Sequence, residues 1–110
     1  MDKKIQKSLV IKEDALAELE EQVVYFCLNY SATYAEQFRL DFFKTVFSIL
    51  PNPNIYPECR FLPTITQMYR NIVWGNYLII YKIKPKTVEI LSLFHCKQKP
   101  TKIKMLRRRI

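Results

Sequence analysis

Along NYLIIYKI the apolar positions alternate in steps of two, so Tyr77, Ile79, Tyr81 and Ile83 fall on one face of a strand and Leu78 and Ile80 on the other. Apolar side chains on both faces predict a strand in the middle of a sheet. A second run of strand composition, TVEILSLFH, follows a Lys84-Pro85-Lys86 turn, and a third, Tyr69 to Trp74, precedes the first. Between the third run and the first stands Gly75, the only glycine in the chain, followed by Asn76. A tight antiparallel turn needs a residue at positive φ there, and glycine supplies it without steric cost. The pattern predicts a three-stranded antiparallel meander.

The N-terminal half changes period. Lys4 to Ile11 is short and ends in Leu9, Val10 and Ile11, which predicts an edge strand. Glu13 and Asp14 then place negative charge where a helix N-terminus favours it. Leu16, Leu19, Val23, Phe26 and Tyr30 recur at spacings of three and four and form one apolar stripe, with Glu18, Glu20 and Glu21 away from it. Ser31 or Thr33 can cap the next helix, and Thr33 with Glu36 has the form of a capping box. Its stripe is Ala35, Phe38, Phe42, Val46 and Ile49, and Pro51 and Pro53 stop it. Four prolines between residues 51 and 63 make PNPNIYPECRFLPTITQM a loop. The expected fold class is α+β, with an N-terminal strand, a two-helix hairpin and the meander.

Composition sets bounds on this picture. At 110 residues, with 49% hydrophobic and 14% aromatic residues, the chain can build one core. No apolar stretch approaches the roughly 20 residues a membrane span needs, and MDKKIQKSLVI lacks the apolar core of a secretory signal. Cys27, Cys59 and Cys96 are odd in number, widely spaced and without a CxxC pair, which argues against a disulfide framework or zinc site. A cytoplasmic protein without membrane contact is expected. Charge is uneven. Residues 1–50 hold six Lys/Arg against eight Asp/Glu, a net of −2, and residues 51–110 hold twelve against two, a net of +10. From Lys97 onward there are seven basic residues and no acid, so an acidic partner is implied, either nucleic acid or an acidic protein segment.

The run VWGNYLIIYKI, a short polar turn and TVEILSLFHCKQKP resemble the C-terminal half of the RelE/ParE superfamily of bacterial toxins, whose pattern runs GNYLIFYRV, turn, TVEILRVLHGRR. The resemblance covers roughly residues 5–98, its helical half by element order alone. It implies a toxin domain over residues 1–98, closer to ParE, with a basic tail at 99–110 outside it. It also implies a type II toxin–antitoxin module in which the toxin is neutralised by a cognate antitoxin and binds a cellular target, DNA gyrase being the family's example. The alternatives are a ribosome-dependent mRNA endonuclease of RelE type and a non-toxic binding module on the same fold.

The RelE chemistry is attack by a ribose 2′-OH aided by acid–base groups and an electrostatic clamp, which needs no metal. One family arginine stands just before the hydrophobic stretch of the middle strand, and alignment with NYLIIY puts Leu78 in its place. The clamp is broken there, and the expectation leans away from an enzyme.

His95 is the one weak catalytic candidate, as a general base with an ordinary pKa near 6.5. Its structural alternative is to cap the last strand beside the antitoxin surface. The resemblance suggests a structural or binding role for Arg70. Lys97 and Lys99 are weighed as a phosphate clamp against solvated surface charge. With Lys102 and Lys104, these residues make up the expected target- or antitoxin-binding set. Tyr77, Tyr81, Phe94 and Trp74 are read as core packed under the helices in preference to a base-stacking platform. A nucleophile triad, a metal constellation and a glycine-rich phosphate loop are absent from the sequence, and no cofactor is expected.

Overall fold

A computed structural model of the chain describes residues 7–97. Its elements are β1 (Ser8–Ile11), α1 (Glu13–Asn29), α2 (Ala32–Ser48), a 3-10 turn at Pro53–Ile55, β2 (Tyr69–Trp74), β3 (Tyr77–Ile83) and β4 (Thr87–His95). The four strands form one sheet in the order β1-β4-β3-β2, with β1 parallel to β4 and the other pairs antiparallel. The meander, the edge strand and the helical hairpin are therefore those the residue pattern predicts, and the fold is α+β.

The central strands show why the alternation reads as it does. Tyr77, Ile79, Tyr81 and Ile83 of β3 face a core built with Leu19, Val23, Phe42 and Val46 of the helices. Leu78 and Ile80 face a second, smaller core with Cys59, Leu62, Tyr69, Leu91 and Phe94. Gly75 takes φ +59 between β2 and β3, the arrangement of a hairpin turn with glycine first, and a Cβ there would meet nothing within 4 Å. Backbone conformation, rather than space, makes glycine the fitting residue.

Two expectations need correction, and of the two caps expected for α2 one is found. Leu16 and Tyr30 are not in the α1 stripe: Leu16 is 38% exposed and Tyr30 is 67% exposed. Ala15, Leu19 and Val23 line the buried face instead, and α1 ends at Asn29, so Tyr30 lies past its last turn as the C-cap. Glu18 does not point away from the core. Its carboxylate accepts from Ser92 Oγ at 3.0 Å and from the Leu93 N–H at 3.1 Å, tying α1 to β4. Burial raises its pKa above the usual carboxylate value; those two hydrogen bonds oppose the rise, and Asp14 and Glu21 add to it. The cap of α2 is Ser31, whose Oγ accepts from the Tyr34 N–H at 3.0 Å; the Thr33–Glu36 box is not the cap.

The proline-rich segment is irregular but anchored. Its 3-10 turn is tied to the interior strand β3, whose Tyr81 hydroxyl donates to the Pro53 carbonyl at 2.6 Å. The segment then runs beside β2, where the Cys59 N–H donates to the Tyr69 carbonyl and the Asn71 N–H to the Pro57 carbonyl. From there it crosses to the second face and buries Cys59 and Leu62 completely. The loop thus covers one sheet edge and one sheet face that no helix reaches.

Candidate binding cleft

The inter-helix turn and the β2–β3 turn sit on the same side of the sheet, and between them the helix-facing core opens to solvent. The opening is aromatic because both turns are flanked by aromatic residues. Ring contacts run without interruption across it: Phe26 to Tyr34 (5.0 Å between centroids), Phe26 to Phe38 (4.9 Å), Phe38 to Trp74 (4.9 Å), Trp74 to Tyr77 (5.9 Å) and Tyr77 to His95 (4.9 Å). Tyr25, Tyr30 and Tyr34 complete the outer wall and are 50%, 67% and 51% exposed. The cleft encloses about 800 Å³, with Glu21 and Gln22 of α1 on its border.

A phase change in β4 delivers His95 to this cleft. Ile80 pairs with Ser92 but Tyr81 pairs with Ile90, so β4 carries one extra residue there. Val88 and Ile90 face the helices before the irregularity, and Leu93 after it. Strict alternation would have put position 94 on that face; the bulge puts Phe94 in the second core and seats His95 opposite Tyr77. The expectation that Phe94 packs under the helices is corrected by this shift, whereas Tyr77, Tyr81 and Trp74 do pack on the helix side.

The cleft's polar groups are held in place. The Tyr77 hydroxyl donates to Gln22 Oε1 at 2.7 Å, and its pKa is raised by burial first and then by the neighbouring Tyr34 and Tyr25 phenols. His95 is half-buried, and its Nδ1 accepts from the Lys97 N–H at 3.1 Å. Lys97 itself is exposed at the end of the described chain. Lys99, Lys102 and Lys104 lie outside the described residues.

Arg70 is far from this constellation. Its Nε donates to the Gln67 carbonyl at 3.1 Å, and one terminal nitrogen donates to the carbonyls of Asn54 (3.1 Å) and Tyr56 (2.8 Å). Five donors in a fixed fork suit a guanidinium to gather three carbonyls of an irregular segment. Leu78 is half-buried on the second face with Phe61 and Met68, so hydrocarbon occupies the position where the resemblance implies an arginine. Among the described residues no group of three or more His, Cys, Asp or Glu converges as a metal site, and no helix is long and apolar enough to cross a membrane.

The structure therefore brings His95 and Lys97 together at one end of the sheet, leaves Arg70 on β2 with its side chain bound to the proline-rich segment, and adds a set that the apolar stripes do not contain. For Tyr25 and Tyr34 there was a signal: aromatic residues at 25, 26, 30, 34 and 38 crowd both sides of one short turn, more than a hairpin tip can bury; Glu21 had none.

A strand, a helical hairpin and a meander with a cleft at the hairpin tip make a small α+β domain, and comparison with known proteins gives its family. The family described as "ParE toxin of type II toxin-antitoxin system, parDE" matches residues 9–100, and the chain belongs to that family. Among solved structures, the chromosomal ParDE TA system from P. aeruginosa superposes with a TM-score of 0.69 at 16% identity, covering 84% of this chain and 98% of that one. A mutant of the E. coli toxin RelE in the free state gives a TM-score of 0.60 at 18% identity, covering 96% and 99%. At such identities the two structures share the fold. A search of curated proteins gives no match.

Proposed function

We propose that this chain inhibits growth in the cytoplasm by binding a cellular target, with DNA gyrase the target that the resemblance implies, and that a cognate antitoxin neutralises it. The observation that carries this reading over the endonuclease is Leu78. A phosphate clamp needs cationic groups on the sheet surface, and that position presents a half-buried hydrocarbon side chain. Two surfaces suit an antitoxin segment. The aromatic cleft accepts the apolar face of a helix, and the outer edge of β1 pairs with no other strand among the described residues and is open to strand addition. His95 borders the first of these, Lys97 follows it by two positions, and the basic run beyond supplies the field that speeds encounter with an acidic partner.

The test is expression of the chain alone and with the neighbouring small open reading frame. Growth arrest relieved by co-expression, with a co-purifying complex, is the expected result. Primer extension on cellular transcripts should show no new ends after induction, while supercoiling is blocked or DNA-damage signalling rises. Codon-linked cleavage on translating ribosomes would instead assign the endonuclease activity, and growth without arrest would leave the fold as a binding module.

A further inference from the structure

The cleft differs from the rest of this basic protein in charge. Among the described residues, Glu21 is the formally charged side chain on its border and no Lys or Arg lines it. Around Glu21 the phenol rings of Tyr25, Tyr30 and Tyr34 are half or more exposed. Exposed aromatic faces beside a carboxylate attract ammonium and guanidinium groups, because the ring quadrupole and the full charge act in the same direction. Such a surface calls for a cationic, partly apolar occupant.

The chain itself carries one, tethered at the rim. The described residues end at Lys97, two positions after His95, whose ring borders the cleft. The thirteen residues that follow, QKPTKIKMLRRRI, hold Lys99, Lys102, Lys104, Arg107, Arg108 and Arg109, no acid, and apolar residues at 103, 105, 106 and 110. At roughly 3.3 Å per extended residue, Arg107 lies within about 33 Å of Lys97, enough to reach across the hairpin tip. A tether this short holds the segment near the cleft at an effective concentration on the order of millimolar, so contacts too weak for a free peptide suffice.

We infer that residues 98–110 dock in cis in the aromatic cleft, with guanidinium groups on the tyrosine faces beside Glu21 and apolar side chains toward Trp74. The free protein thus covers its own hairpin tip, and any partner that uses the cleft displaces the tail. This inference stands whether or not the chain is a toxin.

Trp74 is the only tryptophan of the chain and lines the cleft, so its emission reports occupancy directly. In the full chain, acrylamide quenching of Trp74 should be weak at low salt and rise at least twofold in 1 M NaCl. The same rise should follow R107Q/R108Q/R109Q at low salt, with an unchanged circular dichroism spectrum. Glu21→Gln should give part of the effect. Adding a synthetic peptide of residues 98–110 to the triple variant should restore shielding. Equal quenching in the native chain and the triple variant at low salt, or a peptide without effect, overturns the inference. Shielding that grows with protein concentration does so as well, because it would assign the cleft to a second copy.

Discussion

The sheet is covered twice, by two different kinds of structure. One face lies under a helical hairpin whose side chains repeat at three and four, and it holds most of the buried residues. The other lies under a proline-rich segment with no repeat, whose six-residue core is closed by backbone and guanidinium hydrogen bonds. Both faces exclude water from the same strand β3. The helical cover satisfies its own backbone and spends its side chains on packing, whereas the loop must find outside partners for its carbonyls. Stability on the first face should therefore follow volume, and on the second it should follow hydrogen bonding.

Truncation of the cores tests this most strongly. Phe42→Ala on the helix side, where the ring is fully buried, should cost about 3–5 kcal/mol in urea unfolding. Leu62→Ala on the loop side should fall near the ~2 kcal/mol end of its range, since an irregular segment can follow the collapse. An equal cost at both sites would show the loop to be as rigid as the helices.

Next in size is Arg70→Ala, which strips a charged donor from three carbonyls and should cost about 2 kcal/mol. Limited proteolysis should then cut first within residues 51–68 while amides of α1 and α2 stay protected. Arg70→Lys should not restore the loop, because an ammonium cannot reproduce the fork. If toxicity disappears while the loop keeps its protection, Arg70 serves binding instead.

Glu18 sharpens the comparison from the helix side, because there that cover also depends on a polar link to β4. Glu18→Ala leaves the Leu93 N–H without its acceptor and should cost about 1–2 kcal/mol. The pH dependence has a fixed sign. Because the folded carboxyl has a raised pKa, its favourable contribution is complete below the unfolded value of 4.5 and is lost as pH rises through the folded value. Relative to Glu18→Gln, the native chain should therefore lose stability as pH rises from 4 toward neutrality, as measured by urea midpoints.

Arg39→Ala ranks last. Its pairing with Glu20 at 2.7 Å joins two partly exposed side chains, so the loss should stay below about 1 kcal/mol and shrink in salt.

What the sequence disclosed divides along the same line. The faces of β3, the stripe of α2 and the glycine turn were legible because each follows a local period or a local steric demand. Three features were not. The bulge that turns Phe94 away and His95 inward breaks the period without a glycine to mark it. Tyr30 fits the α1 spacing but lies one residue beyond the end of the helix, and a stripe does not announce its end. Arg70 was expected in a structural or binding role, but its carbonyl partners could not be named, because they lie up to sixteen positions away in a segment with no pattern.

The order of the sheet has a bearing on synthesis. β4 lies between β1 and β3, so the last of the described strands to leave the ribosome is the one that joins β1 to the rest of the sheet. Until Thr87–His95 is available, β1 has no hydrogen-bonding neighbour and the helical hairpin has only an unfinished surface to cover. Closing a contact across nearly the whole domain is slow and entropically unfavourable. The aromatic cleft shares this dependence, because Tyr77 meets His95 only through the β3–β4 register. A nascent or interrupted chain that lacks β4 thus carries neither the assembled sheet nor the finished cleft, and the cleft comes into being only once β4 has joined the sheet.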